Sequence, residues 1–251
     1  MSGDFILETR QLTREFKGFI AVNGVNLQVK RGTIHALIGP NGAGKTTCFN
    51  LLTKFLAPTR GRIFYKGEDI TALKPSAVAR RGLVRSFQIS AVFPHLSVLE
   101  NVRVALQRKL GISYAFWRSE RSLDGLNDRA RELLEDVGLS AFAGTLAVEL
   151  PYGRKRTLEL ATTLALEPEL MLLDEPTSGM GHEDIARVTA LIQRVSAQRT
   201  ILMVEHNLGV VAHLSHTITV LQRGGVLAEG PYEEVSRNPQ VKEAYLGATV
   251  E

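Results

Sequence analysis

The segment best suited to chemistry is the glycine-rich stretch at residues 39–47, which reads Gly-Pro-Asn-Gly-Ala-Gly-Lys-Thr-Thr. It fits the phosphate-binding pattern G-x-x-x-x-G-K-[ST]. Glycines let backbone N–H groups turn toward a polyphosphate, and the N-terminus of a following helix adds positive potential. The Lys45 amine could then reach the β- and γ-phosphates of a nucleotide, and the Thr46 hydroxyl could bind Mg²⁺. The predicted nucleotide-binding residues are Gly39, Pro40, Asn41, Gly42, Ala43, Gly44, Lys45, Thr46 and Thr47.

The elements on either side of this segment are those that the pattern requires. Residues 33–38 predict a buried strand, and residues 45–56 have the apolar spacing of a helix. A glycine-rich turn between a strand and a helix can also occur without a ligand. The length of the motif, its Lys-Thr pair and its flanking elements favour phosphate binding over that alternative.

Two acids follow another predicted strand. The apolar run Leu170–Leu173 leads into Asp174 and Glu175, and parallel α/β sheets bind ligands at the carboxyl ends of their strands. Asp174 is therefore predicted to hold Mg²⁺, directly or through water, beside Thr46. Glu175 is predicted to polarise an attacking water. Strand ends often carry solvated acids, and the phosphate-binding segment in the same chain is what favours the metal and water roles.

Two further polar residues, Gln88 and His206, also lie at the ends of predicted strands. Gln88 could contact the metal or the water and sense the γ-phosphate, although a glutamine at a strand end is ordinarily polar surface. His206 could hydrogen-bond the γ-phosphate and hold Glu175 and the water in line. His213 and His216 have a spacing that could suit a metal, but no third ligand is evident nearby.

The N-terminal part of the chain predicts two strands, Leu7–Phe16 and Gly24–Lys30, with a turn at residues 17–18. Strands that precede the phosphate-binding segment indicate a small antiparallel sheet beside the nucleotide. Phe16 and Phe19 are candidates to stack on a base. For either residue alone, a place in the hydrophobic core is the better interpretation.

Strand-like and helix-like runs alternate along the rest of the chain, which predicts an α/β fold with a mainly parallel sheet. The helical stretch at residues 89–166 is predicted to be an insertion between two sheet-forming parts. Within it, Ser97 and Glu100 predict a capping box, and Pro151 suits a first helical position. Residues 232–246 predict one helical tail.

Composition limits the classes of protein. The chain has 251 residues, 44% hydrophobic and 22% charged, which is typical of a globular protein with a large core. A net charge of +4 allows a phosphate ligand, a nucleic acid or an anionic membrane surface and selects none of them. Cys48 is the single cysteine, so neither an intramolecular disulfide nor a thiol metal site is expected. We see no signal-like segment and no apolar run near the roughly 20 residues of a membrane span, so we expect a cytoplasmic chain.

Taken in order, these features resemble the ATP-binding subunit of ABC transporters over essentially the whole chain. The matching parts are Walker A at residues 39–47, the Q-loop at Gln88, the signature at residues 150–154, Walker B with the catalytic glutamate at Asp174-Glu175, and the switch histidine at His206. The combination is highly specific, although each part alone is not.

The resemblance implies a P-loop NTPase (RecA-like) core with a mainly parallel sheet, a small antiparallel β subdomain and an inserted α-helical subdomain. We expect a single domain over residues 1–251. Residues 1–88 and 167–251 would form the nucleotide-binding core, and residues 89–166 the helical subdomain with the signature. ATP and Mg²⁺ are the implied cofactors. The implied catalytic residues are Glu175, His206 and Gln88, and the implied metal ligands are Thr46, Gln88 and Asp174.

The signature departs from the family's usual Leu-Ser-Gly-Gly-Gln, because it reads Leu-Pro-Tyr-Gly-Arg here. In the family, the signature of one subunit faces the phosphate loop of a second, so Tyr152, Gly153 and Arg154 are implied to contact nucleotide. Gly153 would offer a backbone N–H and Arg154 a positive charge. By its position before Lys45, Phe16 rather than Phe19 matches the family's adenine-stacking aromatic.

The signature, the segment 103–137 and the tail 238–247 look most like subunits that serve branched-chain amino acid uptake. Relatives of that group import urea, amides and other small organic solutes. The resemblance implies transmembrane permease subunits, a second ATP-binding subunit in a homo- or heterodimer, and a separate solute-binding protein. It implies a peripheral location on the cytoplasmic face of the plasma (inner) membrane, and no nucleic acid partner.

Two other functions remain as alternatives. A soluble ABC-type ATPase acting on nucleic acid or ribosomes usually carries two cassettes or a long coiled-coil insertion, and this chain has one cassette without a sustained heptad run. An ordinary P-loop kinase or GTPase would not need the signature region or His206.

Overall fold

The computed structural model describes residues 4–86, 92–108 and 125–246. Its strands are β1 (Phe5–Phe16), β2 (Phe19–Val25), β3 (Gln28–Lys30), β4 (Ile34–Ile38), β5 (Arg60–Tyr65), β6 (Glu68–Asp69), β7 (Leu83–Ser86), β8 (Leu170–Asp174), β9 (Thr200–Val204), β10 (Thr217–Gln222) and β11 (Gly225–Gly230). Its helices are α1 (Lys45–Leu52), α2 (Pro75–Arg80), α3 (Val98–Gln107), α4 (Asn127–Asp136), α5 (Tyr152–Leu164), α6 (His182–Ser196), α7 (Leu208–Leu214), α8 (Tyr232–Arg237) and α9 (Pro239–Leu246).

The larger sheet has the strand order β11-β10-β4-β9-β8-β7, and its pairings are parallel except for the edge strand β11. Every residue of β4, β8 and β9 is buried. Continuous burial is expected for parallel strands that are covered on both faces. The predicted α/β fold with a mainly parallel sheet is confirmed.

Alternate residues of the parallel strands enter two different hydrophobic cores. On β8, Met171 and Leu173 pack with the side chains of α3–α7. Leu170 and Leu172 point the other way and pack with α1 and with the antiparallel sheet. The phosphate-binding segment therefore leaves a sheet that is fixed from both sides.

The smaller sheet is antiparallel, as predicted, with the order β2-β1-β5-β6 and with β3 also paired to β1. The predicted single strand Gly24–Lys30 is wrong in its bounds, because β2 starts directly after the turn at residues 17–18 and ends at Val25. Asn26 separates β2 from β3. Its side-chain oxygen accepts a hydrogen bond from the Gln11 N–H at 2.8 Å, and its amide donates to the Gly24 carbonyl. This local bonding replaces ladder hydrogen bonds and ends the strand.

The helix that follows the phosphate-binding segment is shorter than predicted. It ends at Leu52, where the Thr53 hydroxyl donates to the Phe49 carbonyl at 2.7 Å and Lys54 adopts a positive φ of 66°. The predicted single tail over residues 232–246 is two helices, because a residue before proline disfavours the helical region. Asn238, which precedes Pro239, has a ψ of 121°.

Between β7 and β8 the described chain is helical. The capping box predicted at the start of α3 is confirmed, since the Ser97 hydroxyl accepts from the Glu100 N–H and the Glu100 carboxylate accepts from the Ser97 N–H. Pro151 lies one position earlier than predicted, as the extended residue that precedes α5.

No helix in the described part of the chain combines the length and the apolar character that crossing a bilayer would require. Cys48, on α1, is completely buried, and this burial raises the pKa of its thiol to about 12.

Candidate nucleotide-binding site

The phosphate-binding segment forms a turn that only glycine can make at its two ends. Gly39 has a φ of 148° and Gly44 a φ of 101°, both in the region that side chains rarely adopt. A Cβ atom on Gly39 would overlap the carbonyl oxygen of Leu221, and one on Gly44 would overlap that of Ala21. The loop is therefore held against β10 and β2 by main-chain packing before any ligand is considered.

Lys45 begins α1, and its ammonium group lies inside the loop. The Nζ atom donates to the carbonyl oxygens of Gly39 at 2.7 Å and Pro40 at 2.9 Å, and the residue is 6% exposed. Burial lowers the pKa of Lys45, while the negative charges of Glu175 and Asp174 act to raise it. A cation, the N–H groups of a helix N-terminus and a glycine turn thus meet at one place, which suits a bound polyphosphate.

The carboxyl ends of β8 and β9 bring two of the predicted residues into contact. Glu175 directly follows β8, and His206 lies two residues after the end of β9. The His206 Nε2–H donates to the Glu175 carboxylate at 2.8 Å. Glu175 has a φ of 46°, a strained conformation for a residue with a side chain, and its N–H bonds the Val204 carbonyl of β9. This main-chain hydrogen bond to β9 holds Glu175 in its strained conformation.

A cavity of about 310 Å³ joins these groups. Its lining residues are Phe19, Ala21, Asn41, Gly42, Ala43, Gly44, Lys45, Thr46, Thr47, Glu175 and His206. The phosphate loop, the predicted catalytic glutamate and the predicted switch histidine therefore open onto the same space.

The two candidate base-stacking residues differ in their surroundings. Phe16 and Phe19 are partners across the β1–β2 turn. Phe19 is 66% exposed and lines the cavity, whereas Phe16 is 38% exposed, lies outside the cavity lining and carries the Arg14 guanidinium 4.5 Å from its ring centre. The position before Lys45 favoured Phe16, and the geometry adds Phe19 as a second candidate for contact with the base.

Asp174, at the end of β8, is almost completely buried and forms an ion pair with Arg85 of β7. The same guanidinium donates to the Asn50 side-chain oxygen of α1 at 2.6 Å. Arg85 thus joins the phosphate-loop helix to the acid predicted to bind metal. The sequence prediction did not include Arg85; its place at the end of a strand that leads toward Gln88 was the available signal.

Glu205 is a second residue that the sequence prediction missed. It lies between β9 and His206, is 3% exposed, and its carboxylate accepts hydrogen bonds from the N–H groups of Thr177, His206 and Asn207 and from the Thr177 hydroxyl. An acid next to a candidate catalytic histidine was a signal for a supporting role.

None of the signature residues lines the cavity at the phosphate loop of its own chain, and Tyr152 and Arg154 contact other residues of that chain. The Tyr152 hydroxyl donates to the Ser178 carbonyl at 3.1 Å. Arg154 stacks on Phe142 with 4.1 Å between the guanidinium carbon and the ring centre. Gly153 is buried at the start of α5. Two residues after Arg154, Arg156 donates to the Asp174 and Glu175 carbonyls at 2.7 and 3.2 Å, so the signature helix contacts the end of β8 directly.

The remaining predicted residues are placed as follows. Gln88 lies outside the described residues. His216 is occupied by the main chain, because its Nδ1 accepts from the Ile34 N–H at 3.0 Å. Within the described ranges no group of three or more His, Cys, Asp or Glu side chains could hold a metal ion.

The chain matches two family descriptions. Residues 22–178 match the family described as ABC transporter, and residues 226–251 match the one described as branched-chain amino acid ATP-binding cassette transporter.

Full-length relatives agree with these matches. The chain is 40% identical over 252 residues to the high-affinity branched-chain amino acid transport ATP-binding protein BraF of Pseudomonas aeruginosa, covering 96% of this chain and 98% of BraF. It is 38% identical over 249 residues to the corresponding protein LivG of Escherichia coli, covering 96% of this chain and 98% of LivG.

A solved structure shares the fold over the same extent. The crystal structure of the ADP conformation of MJ1267, an ATP-binding cassette of an ABC transporter, has a TM-score of 0.85 and 29% identity to this chain, covering 97% of this chain and 99% of that one. This likeness confirms the P-loop NTPase fold that the motifs predicted. The chain therefore belongs to the ABC transporter family, as an ATP-hydrolysing cassette.

Proposed function

We propose that this chain hydrolyses ATP to power the uptake of branched-chain amino acids, or related small organic solutes, through partner permease subunits. The observation that carries the proposal is the shared cavity, onto which the phosphate loop, Glu175 and His206 all open. The similarity to BraF and LivG supports the choice of solute class. Each relative described above is a transport protein or a cassette of one, which favours transport over an action on nucleic acid or ribosomes.

Each group has a role that its chemistry supports. Lys45 and the N–H groups at the start of α1 would bind the β- and γ-phosphates. Glu175 would accept a hydrogen bond from the attacking water and orient it toward the γ-phosphorus. The His206 Nε2–H, which bonds Glu175 at 2.8 Å, would hold that carboxylate in line with the water. The His206 ring would also contact the γ-phosphate once nucleotide is bound. Phe16 would stack on the adenine, with Phe19 as a second aromatic contact.

The oxygen atoms present fit Mg²⁺. Mg²⁺ is usually held by one or two carboxylates together with phosphate oxygens and waters. The Thr46 hydroxyl and the Asp174 carboxylate are such donors, and Gln88 is proposed as a further one. Bound there, the ion would neutralise charge on the β- and γ-phosphates. Arg85 binds one carboxylate oxygen of Asp174 and would hold this side chain in place beside the ion.

We infer that the signature acts on nucleotide bound by a second ATP-binding subunit, because none of its residues lines the cavity at the phosphate loop of its own chain. Gly153 at the start of α5 would offer an N–H to the phosphate, and Tyr152 and Arg154 would form the surrounding surface. The second subunit would be a copy of this chain or a related one.

The permease subunits are proposed to dock beside α3. An apolar cavity of about 490 Å³ lies there, and two exposed aromatic residues, Phe55 and Phe93, stand on its wall. The cavity is also lined by Ser86, which lies two residues before Gln88 in the sequence, so we propose that contact with a permease would involve the chain next to the predicted Q-loop. The proposed division of the chain follows, with residues 1–88 and 167–251 as the nucleotide-binding core and residues 89–166 as the helical subdomain. The chain would sit peripherally on the cytoplasmic face of the plasma membrane, with a separate solute-binding protein as a further partner.

The test is the substitution Glu175→Gln. It should leave ATP binding intact and reduce phosphate release by at least about 10²-fold, because the water loses its acceptor while Lys45 and the loop are unchanged. Light scattering should then detect an ATP-dependent dimer that persists. The matched control is Glu132→Gln, a change at an exposed side chain of α4, which should hydrolyse ATP at the normal rate.

Normal phosphate release by Glu175→Gln would contradict the catalytic role. Transport is tested separately, by co-expressing the chain with its permease subunits and measuring uptake of labelled leucine. Normal ATPase activity without association with any permease, together with binding to nucleic acid that weakens steeply with salt, would favour the soluble alternative.

A further inference from the structure

We propose that Glu205 is a positioning residue for ATP hydrolysis. Its buried carboxylate fastens the loop after β8 to the turn after β9, and thereby sets the distance and angle between Glu175 and His206. This inference rests on the proposed function of those two residues.

The contacts of Glu205 divide equally between the two loops. One carboxylate oxygen accepts from the Thr177 N–H at 3.0 Å and from the Thr177 hydroxyl. The other accepts from the N–H groups of His206 at 2.8 Å and Asn207 at 3.0 Å. Hydrogen bonds to an ionised acceptor are stronger than neutral ones, and this one is 3% exposed, so water competes little for it.

These bonds close a ring that contains both proposed catalytic groups. From Glu175 the main chain runs two residues to Thr177, whose donors bind Glu205. Glu205 in turn binds the N–H of His206, and the His206 ring returns to the Glu175 carboxylate at 2.8 Å. The side chains of Glu175 and His206 are 21% and 45% exposed, so packing alone does not fix them. The bond from the Glu175 N–H to the Val204 carbonyl fixes the main chain at Glu175. The buried Glu205 carboxylate is the side chain of the ring that further restricts the relative position of Glu175 and His206.

The ring requires a group that only accepts hydrogen bonds. A glutamine at position 205 has nearly the same shape, but its NH₂ group would face either the donors of Thr177 or the N–H groups of His206 and Asn207. One of the two loops would lose its acceptor, and the buried N–H groups would be left unpaired. Aspartate is shorter by one methylene and would not span both loops.

The experiment measures steady-state ATPase activity of the full chain carrying Glu205→Gln. We expect kcat to fall on the order of 10²-fold, the effect expected when catalytic groups shift by about 1 Å. KM for ATP should change little, since the phosphate loop is not altered. The NMR signals of the His206 side-chain nitrogens should also move, because the bond to Glu175 is disturbed.

A second arm separates positioning from a general loss of structure. If Glu205 acts through the Glu175–His206 pair, Glu205→Gln should reduce kcat by less than ~2-fold further when His206 is already alanine. An additive loss in that background, or an unchanged kcat in Glu205→Gln, would overturn the proposal. If His206→Ala and Glu175→Gln themselves retain full kcat, the proposed function fails instead.

Thr177→Val keeps the test decisive should Glu205→Gln fold poorly. It removes one of the donors to Glu205 and leaves the three N–H bonds, so the fold should survive. We expect a kcat reduction of several-fold, about 10-fold at most, from a single lost hydrogen bond, with recovery in Thr177→Ser, which retains the hydroxyl. Equal kcat in Thr177→Val and Thr177→Ser would contradict the proposal.

Discussion

The phosphate loop and the signature turn are both short stretches at the start of a helix, yet they are built differently. The loop at residues 39–47 depends on main-chain geometry, with glycines whose absent side chains let it contact β2 and β10. The turn at residues 150–154 depends on side chains, and these bond within the chain, as Tyr152 does to Ser178 and Arg154 to Phe142.

The difference explains why one stretch follows the family pattern and the other departs from it. A loop whose function resides in backbone N–H groups and in strained φ values admits few substitutions. A turn whose side chains pack on neighbouring residues can exchange them, provided that the helix start and Gly153 are kept. Arg156 joins the signature helix to the end of β8, because its side chain donates to the Asp174 and Glu175 carbonyls, and Glu175 lines the same cavity as the phosphate loop.

The largest expected effect is on stability and concerns that junction. Replacing the buried Arg156 by methionine breaks its buried ion pair with Glu159 and removes the donor to the Asp174 and Glu175 carbonyls. It should lower the free energy of unfolding by about 3–5 kcal/mol. The matched change Arg154→Met removes one cation–π contact and should lower it by at most about 1 kcal/mol. Urea denaturation measures the free energy of unfolding of both variants. Equal losses would contradict the prediction that Arg156 contributes more to stability than Arg154.

The next effect concerns the loop itself. Gly44→Ala should lower ATP affinity on the order of 10²-fold, because a positive φ costs about 1–3 kcal/mol in a residue with a side chain and the new methyl group would overlap the Ala21 carbonyl. Gly181→Ala is the control near the signature, since Gly181 has a φ of −74° and open space at its Cβ position. Titration with a fluorescent ATP analogue measures the affinity of each variant. Similar affinities for Gly44→Ala and Gly181→Ala would show that the phosphate loop tolerates a side chain as well as the residues near the signature do.

A smaller effect extends the comparison to the strand that carries the loop. His35 of β4 is buried, bonds the Thr219 hydroxyl at 2.7 Å, and has its pKa lowered from 6.5 to about 4 by burial. The unfolded chain binds the proton more readily, so the stability that neutral His35 contributes is present above pH 6.5 and is lost as the pH falls toward 4. The slope should be about 1.4 kcal/mol per pH unit.

The control is His35→Leu, which removes the titrating group. Urea denaturation of both proteins at pH 7 and pH 5.5 isolates the contribution of His35 as a difference in slope. If the stability of the two proteins depends on pH in the same way, His35 binds protons equally in the folded and unfolded states, which would contradict the prediction.

The parts of the site that sequence predicted are those whose signal is local. Residue type and spacing identify the glycines, Lys45 and the buried strands. The apolar run Leu170–Leu173 indicates that Asp174 lies at the end of a buried strand. Burial on both faces makes β4, β8 and β9 continuous apolar runs, which a single sequence displays plainly.

What could not be predicted depends on contacts between distant segments. Glu205 reads as one more acid until Thr177, 28 residues earlier in the chain, is seen to donate to it. Arg85 reaches Asp174 only because β7 lies beside β8. The break between β2 and β3 arises from the side-chain bonds of Asn26, and propensity alone does not reveal it.

The burial of Cys48 has a practical consequence. Thiols react as thiolates, and a completely buried thiol whose pKa is near 12 should stay inert to maleimide reagents while the protein is folded. Since it is the single cysteine of the chain, one engineered surface cysteine could carry a spin label or a fluorophore without prior removal of the native residue. The distance between the probes on two labelled subunits would then test whether two cassettes move apart during turnover.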